Sequence, residues 1–340
     1  MFTEKERLER ALRQEEVDRP PCICPGGMMN MITTDLMDAC GVTWPEAHTD
    51  AQMMADLALA SYQHGCFENV GVPFCMTIEA EELGAKVTLG SKIFEPHVTE
   101  YAGTSVTEWK KSSPINLECG RAKVVLDAIR ILKEKNLDVP IIGNLVGPVS
   151  VASSVIDPVG FYKDLRRHKE EAHQFMTFVT EQLIAFANAM IENGADVIAI
   201  SDPSGTGEIL GPKFFEEYAV KYLNMLLDGI KDQEKGTIVH ICGQMRSVYE
   251  QIDKVHSDAL SFDAIVPLKE ARKNLQDRVL MGNVSTFALE FGDEERVQKL
   301  TNFVCKAVLI SFLQHVDWDK VTSCKYSGDF KNVKDGRRSI

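Results

Sequence analysis

The chain lacks the features of several large protein classes. No stretch approaches the ~18–20 apolar residues that a membrane-spanning helix requires, and residues 1–7 are charged like a helix start, not like a signal peptide. The nine cysteines are odd in number and have no framework spacing, which predicts reduced thiols and a cytoplasmic location. The net charge of −13 argues against nucleic acid as a partner, because phosphate binding needs a basic surface.

Linkers, low-complexity runs and internal repeats are also absent from the 340 residues. The apolar fraction of 44% and the charged fraction of 26% are typical of a globular domain. We therefore expect one domain over residues 1–340, since a barrel with insertions fits this length. Segment 77–113 is expected to be an insertion that includes a β-hairpin, and its acidic residues, Glu79, Glu81 and Glu82, are expected to form a solvated face.

What recurs along the chain is an apolar strand followed by an amphipathic helix, with long helices predicted over 161–193 and 212–227. Several strand candidates are continuous apolar runs, as expected for parallel strands buried on both faces. Eight segments are predicted as strands: 21–25, 68–73, 140–147, 196–202, 237–243, 258–265, 278–284 and 308–315. This count predicts an α/β fold of the (β/α)8 TIM-barrel type. An open doubly wound sheet is the alternative, but no Gly-x-Gly-x-x-Gly turn follows the first strand.

Polar residues follow the apolar strands where a barrel carries its chemistry, at the carboxyl ends. Asn144, Asp202, Asp263 and Asn283 each stand at or just beyond the end of a predicted strand. Such residues in succession are expected at a functional mouth, although ordinary loop capping remains the alternative for each one.

His240 and Cys242 carry the most specific chemistry in the sequence. They end the β-branched segment 236–239 and are followed by Gly243. Residues i and i+2 of a strand point the same way, so the imidazole and the thiol are expected to project together. Zinc prefers nitrogen and sulfur ligands at about 2.0–2.3 Å. The pair therefore indicates a zinc site, against the alternative of a buried histidine beside an inert cysteine.

A catalytic zinc usually has three protein ligands and one open position. The third ligand would come from the end of the eighth strand, where His315 stands, or from Cys324 nine residues later. Asp202 and Asp263 are candidates for orienting the ligands or for the fourth position.

Blocks of residues spread over most of the chain, up to about Thr301, resemble the zinc-dependent methylcobalamin:coenzyme M methyltransferases of the uroporphyrinogen decarboxylase superfamily. The blocks are Glu6-Arg7-Leu8, Val17-Asp18-Arg19-Pro20, 41–48, Val72-Pro73-Phe74-Cys75, 194–200, Asp202-Pro203, His240-Ile241-Cys242-Gly243 and Gly282-Asn283. The Arg-Gln-Ala-Gly-Arg segment with which the decarboxylases grip porphyrin carboxylates is absent near the N-terminus. The methyltransferase branch is therefore favoured, of the methylamine or methanol type.

The resemblance implies a TIM barrel whose zinc binds the thiol of coenzyme M, with methylcobalamin on a corrinoid protein as the methyl donor. It implies that Asn144 and Asn283 could contact the sulfonate or the corrinoid. Two other functions remain open. One is a metal-free decarboxylation of the uroporphyrinogen type, and the other is an inactive corrinoid-binding relative.

The third zinc ligand of the family is a cysteine in a Pro-x-Cys-Gly turn, and this chain lacks that turn. Residues 302–340 are atypical of the family. Codons compatible with residues 303–318, read two bases later, can encode Cys-Leu-Gln-Gly-Gly-Val-Asp-Ile-Leu-Ser-Pro-Ala-Cys-Gly-Leu, which is the family's ending. We therefore hypothesise a frameshift near codon 302, in the gene or in its recorded sequence.

Overall fold

A computed structural model describes residues 2–24 and 32–308, and its centre is a sheet of six parallel strands. These strands form where apolar and β-branched residues run together, and the three central ones are buried along almost their whole length. They are β1 (Val70–Val72), β4 (Ile141–Val146), β5 (Val197–Ser201), β6 (Gly236–Ile241), β7 (Ala259–Phe262) and β8 (Val279–Met281). Two further strands, β2 (Lys86–Thr88) and β3 (His97–Glu100), form a separate antiparallel pair within segment 77–113.

The strands are ordered β1-β4-β5-β6-β7-β8, so neighbours in space follow one another in the chain apart from the β2–β3 pair. One line of register partners crosses the carboxyl half of the sheet. It runs through Val146, Ser201, His240, Ser261 and Met281. Polar side chains on three adjacent strands therefore lie near one another at this end.

Helices cover the outer face of the sheet. The α-helices are α1 (Glu4–Leu12), α2 (Thr34–Cys40), α3 (Ala51–Gln63), α4 (Ile78–Glu82), α5 (Gly120–Glu134), α6 (Pro148–Val155), α7 (Pro158–Arg167), α8 (Lys169–Asn193), α9 (Gly207–Phe214), α10 (Lys221–Asp228), α11 (Tyr249–Ile252), α12 (Leu268–Asn274), α13 (Thr286–Phe291) and α14 (Glu294–Val308). Short 3-10 helices span Glu46–His48 and Val106–Lys111, and a π-helical turn spans Phe215–Val220. In the described part of the chain, no helix has both the length and the apolar character needed to cross a membrane.

Both long helices that the sequence predicts are interrupted. The first divides at His168, whose ψ of 55° is not helical, into α7 and α8. The second begins earlier than predicted, at Gly207, and Gly211 with φ +66° kinks it before Pro212. Glycine tolerates this left-handed backbone, so the local pattern of apolar residues continues across a break in direction.

The apolar core has two layers. The larger layer packs the helices against the outward side chains of the strands. The smaller layer lies on the opposite face of the sheet and joins Ile142, Val197 and Ile238 to Leu8 and Leu12 of α1. A capping box between Thr3 and Glu6 starts α1. Helix α1 thus closes the amino end of the space that the strands surround.

The two ends of the sheet approach each other, because residues 20–23 and β8 line the same groove. The sheet is therefore curled, as a barrel requires. The predicted first strand is not formed in residues 21–24. Pro21 has no backbone N–H, and the N–H groups of Cys22 and Cys24 donate to the side chains of Glu68 and Asn69 instead of to a strand. The predicted eighth strand, 308–315, lies outside the described residues except for Val308, which ends α14.

Candidate functional site

His240 is the fifth residue of β6, and Cys242 follows the strand directly. Both share the inward side of the strand with Ile238, which belongs to the inner core layer. The structure brings them together, with His240 Nε2 3.3 Å from Cys242 Sγ. His240 is buried and Cys242 is half-buried. Gly243, with φ +81°, turns the chain away, and the carboxylate of Glu208 occupies the space that a side chain there would need.

Burial sets the protonation of both groups. It lowers the pKa of His240 to about 4, although the charge of Asp263 acts in the opposite direction. Burial, together with the smaller effect of the charges of Asp263 and Asp202, raises the pKa of Cys242 to about 11. At neutral pH the imidazole is therefore neutral with a free electron pair, and the thiol keeps its proton until a cation replaces it.

Ser261 on β7 supports the histidine from the next strand. Its Oγ lies 3.0 Å from His240 Nδ1 and is buried. If a metal occupies Nε2, Nδ1 carries the proton and donates it to Ser261 Oγ, which fixes the orientation of the ring. Ser261 was not among the site residues predicted from the sequence. The available signal was its position, two residues before Asp263 on the inward side of the following strand.

The two donor atoms fit a zinc ion in kind and in separation. Adjacent nitrogen and sulfur ligands of a zinc tetrahedron are about 3.5 Å apart by the usual bond lengths, close to the 3.3 Å between His240 and Cys242. Within residues 2–24 and 32–308, no cluster of three or more His, Cys, Asp or Glu side chains could hold a metal. His315 and Cys324, the candidates for a third ligand, lie outside the described residues.

Asp202 is fully buried beyond β5, but its contacts point toward helix α6. Its carboxylate accepts hydrogen bonds from the backbone N–H of Val149 at 3.2 Å and from the N–H and Oγ of Ser150 at 2.8 and 2.6 Å. Gly147 and Gly205 approach it so closely that a side chain at either position would collide with it. These contacts are those of a residue that caps the first turn of α6.

Asp263 and Asn283 shape one loop beside the His240–Cys242 pair. Asn283 Nδ2 donates to the carbonyl oxygens of Asp263 and Val266, each at 2.8 Å. Asp263 Oδ1 accepts from the N–H of Ile265 at 3.1 Å, and its charge reaches both His240 and Cys242. Of the two acidic residues predicted for the site, Asp263 is therefore the one whose charge acts on both His240 and Cys242. It is also half-exposed.

Asn144 lies in the same inner face on β4, and its Nδ2 donates to the carbonyl of Val72 at 3.2 Å. Nearby, Glu79 Oε1 accepts from the N–H of Val146 at 2.9 Å. Burial raises the pKa of Glu79, which is 1% exposed, so the predicted solvated face is wrong for this residue. Asn144 Oδ1 and Glu79 Oε2 are buried without a hydrogen-bond partner in the described part of the chain. The position of Glu79 between the buried residues Ile78 and Ala80 was the signal that could have separated it from its acidic neighbours.

Comparison with known proteins identifies the family of the chain. The uroporphyrinogen decarboxylase (URO-D) family model matches residues 3–310. The chain is 37% identical over 289 residues to methylcobamide:CoM methyltransferase MtbA of Methanosarcina acetivorans, covering 85% of this chain and 84% of the relative. It is 34% identical over 301 residues to methylcobamide:CoM methyltransferase MtaA of Methanosarcina barkeri, covering 87% of each chain. A solved structure, a methyltransferase from Methanosarcina mazei, superposes with a TM-score of 0.83 at 31% identity, covering 95% of this chain and 97% of that one.

The family model spans residues 3–310, which include every strand of the sheet. The chain therefore belongs to the uroporphyrinogen decarboxylase family and has its fold, as its sequence predicts.

Proposed function

We propose that this protein transfers a methyl group from a methylated corrinoid to the thiol of coenzyme M, in the formation of methane from methylated one-carbon compounds. The observation that carries the proposal is the His240–Cys242 pair, with donor atoms 3.3 Å apart, in a chain 37% identical to a methylcobamide:CoM methyltransferase. In the reaction, the sulfur of coenzyme M forms a bond to the methyl carbon while the cobalt–carbon bond breaks. Both bonding electrons remain on cobalt, and the thiol proton is released.

His240 and Cys242 would hold a zinc ion, which when bound lowers the pKa of the coenzyme M thiol. A free thiol with a pKa of ~8.5 is only a few per cent ionised at pH 7, so activation is needed. Three residues of the chain set the protonation, orientation and charge of this site. Burial keeps His240 neutral, Ser261 orients its ring, and Cys242 contributes a negative charge that keeps the substrate sulfur nucleophilic.

The third ligand is His315 or Cys324 in the chain as written, or the cysteine of the shifted reading frame. A histidine in place of a cysteine would leave the metal less electron-rich and the substrate thiolate a weaker nucleophile. Sequencing the coding DNA around codon 302 from an independent isolate tests the frameshift. We expect a single-base difference that restores the Pro-Ala-Cys-Gly ending. An unbroken frame encoding residues 302–340 as written would reject the hypothesis.

The methyl donor is proposed to arrive on a corrinoid protein that covers the mouth. Four large apolar side chains on the segments after β5, β7 and β8 form what we call the mouth rim, and each is at least half exposed: Ile209, Ile265, Phe287 and Phe291. Strands β5 and β7, which precede two of these segments, flank β6, where His240 and Cys242 lie. Exposed apolar side chains grouped around a site are typical of a protein-binding surface. Nucleic acid and membrane are not proposed as partners, and the cytoplasmic location stays a prediction.

The proposed reaction is tested by the absorbance of cobalamin after the zinc-loaded protein is mixed with methylcobalamin and coenzyme M. We expect the methyl-cobalt spectrum to disappear, and to persist when homocysteine replaces coenzyme M or when a chelator is added. Cys242→Ala should remove zinc and activity together. Full activity of that variant would reject the zinc site, and metal-independent release of carbon dioxide from a porphyrinogen would favour the decarboxylase. A zinc-loaded protein without turnover would point to the inactive relative.

A further inference from the structure

A groove of about 520 Å³ lies between helices α7 and α9. One part of its wall is apolar and is formed by Leu165, Leu210 and Phe214. Another part is basic and is formed by the exposed side chains of Lys163, Arg166 and Arg167. The guanidinium of Arg166 stands 5.2 Å from the centre of the Phe214 ring, which holds a positive charge over the apolar wall. The groove therefore offers apolar surface and positive charge together.

The positive charge of this groove is not balanced by the residues around it. In residues 2–24 and 32–308, none of its three cations forms an ion pair. Each of the two helices has one acidic residue, and neither faces the cations. Asp164 of α7 is buried, and Glu208 of α9 accepts from the backbone N–H of Gln244 at 3.0 Å. Because the whole chain has a net charge of −13, three unpaired cations in one groove are a local exception.

Helix α9 places the groove next to the mouth. Its first turn carries Ile209, which both lines the groove and belongs to the mouth rim. The neighbouring Glu208 contacts the turn that follows Cys242. On the opposite wall, the hydroxyl of Tyr162 donates at 2.9 Å to the carbonyl of Ser204, in the loop between β5 and α9. A molecule seated in the groove would therefore lie beside the mouth rim.

We propose that the protein that carries the methylated corrinoid docks in this groove through an acidic surface. The choice of this occupant rests on the proposed function, because the methyl donor must reach the mouth that the groove adjoins. Arginine and aromatic side chains are enriched at protein interfaces. Opposite charges speed the encounter of two proteins and fix their orientation. The three cations therefore guide the donor onto the mouth rim, whose apolar side chains it then covers.

Biolayer interferometry measures this docking without any need for activity. The probe is a methylated corrinoid protein purified from Methanosarcina acetivorans, the organism of the relative that is 37% identical to this chain. The test variant combines Arg166→Glu and Arg167→Glu, which reverses two charges in the last turn of α7. The matched control combines Arg13→Glu and Lys133→Glu. It makes the same change in net charge at the exposed carboxyl ends of α1 and α5, at the amino end of the sheet.

We expect the test variant to lower the association rate constant at least about 10-fold at an ionic strength of about 0.01 M, with little change in dissociation. The difference should disappear near 1 M salt, where charges are screened beyond about 3 Å. The control should associate like the wild type. Association that is unchanged in the test variant, or lowered equally in the control, would overturn the docking site. If the test variant does not fold, Lys163→Glu with Arg167→Glu replaces it, because that pair leaves the contact between Arg166 and Phe214 in place.

The docking and the proposed function fail separately. Binding that depends on the groove, without methyl transfer from the bound donor, would reject the proposed function and support the docking site. Methyl transfer from free methylcobalamin, without any binding of the protein donor, would support the function and overturn the docking site. Sedimentation of the chain alone tests a second copy as the occupant. A dimer that forms in the wild type and is lost in the test variant would overturn the corrinoid protein as the partner of this groove.

Discussion

Removing the hydroxyl of Ser261 should weaken zinc binding without removing a zinc ligand. In the metal-free protein, Ser261→Ala has a mild effect on His240, because the ring can move its proton to Nε2, which faces Cys242 Sγ at 3.3 Å. With zinc on Nε2 the proton must sit on Nδ1, whose described partner is Ser261 Oγ at 3.0 Å. The variant therefore leaves a buried N–H unpaired only in the metal-bound state.

The magnitude follows from that difference. A buried donor without a partner costs about 1–3 kcal/mol, which corresponds to a zinc affinity lower by about 5- to 150-fold. Loss of a residue that supports a metal-binding histidine typically costs about 10–100-fold, so two independent estimates agree. The turnover rate at saturating zinc should fall less than the affinity, because the ligands themselves remain.

Competition with a chromophoric zinc chelator measures the affinity. Ser257→Ala is the matched control, since its Oγ is also buried and donates to the carbonyl of Ala259 at 3.0 Å, at the other end of β7. It should bind zinc like the wild type. An affinity of Ser261→Ala within about twofold of the control would refute the orienting role, because a lost buried hydrogen bond costs more than that.

Four other changes test the charges around the site. Because the pKa of the Cys242 thiol is raised to about 11, its proton is released on zinc binding, so the zinc affinity should rise by at least about tenfold per pH unit. Titrations with a chromophoric chelator from pH 7 to 9 measure this slope, and an affinity that does not change with pH would contradict the raised pKa. The pKa of His240 is about 4 in the folded state against an ordinary value of 6.5, so only the unfolded state gains its proton between these values. Urea unfolding of the metal-free protein at pH 7 and 5 should therefore show a loss of stability larger by about 2 kcal/mol than in His240→Gln, and equal losses would contradict the burial. Glu79→Gln keeps an acceptor for the N–H of Val146, whereas Glu79→Ala should lower the free energy of unfolding by at least about 1 kcal/mol more, as measured by urea titration. Asp202→Asn should lower that free energy by about 1–3 kcal/mol with zinc binding intact; lost zinc at unchanged stability would instead assign Asp202 to the metal.

The sequence predicted the central strands and the His240–Cys242 pair because both depend on local spacing. Alternation along β6 is enough to place residues 240 and 242 on one side. It could not identify Ser261, because the partner of His240 is set by the register between β6 and β7, which no local pattern encodes. Asp202 was ambiguous for a similar reason. An acidic residue at a strand end has the same local sequence whether it caps a helix or binds a metal, and only its neighbours in space distinguish the two roles.

The sequence-based predictions were wrong where side chains take the place of backbone hydrogen bonds between strands, and where a helix is too short to show a periodic pattern. The carboxylate of Glu68 and the amide of Asn69 hold residues 22–24, so an apolar segment beside the sheet does not become a strand. Helix α4 has five residues, too few for a periodic pattern to reveal that Glu79 faces inward while Glu82 does not. The eighth strand and both candidate third ligands lie beyond Val308 and stay predictions.

Helix α1 has a consequence for the order of events in catalysis. Leu8 and Leu12 fill the space at the amino ends of the strands, and Leu12 lies so close to Gly236 that no side chain fits there. In residues 2–24 and 32–308 this end of the strands is blocked, so we expect small molecules to reach the His240–Cys242 pair from the opposite end. A bulky methyl donor seated at that end would trap whatever is beneath it. Coenzyme M should therefore enter first and methylated coenzyme M should leave last, giving compulsory-order kinetics in which excess donor inhibits by occupying the empty enzyme.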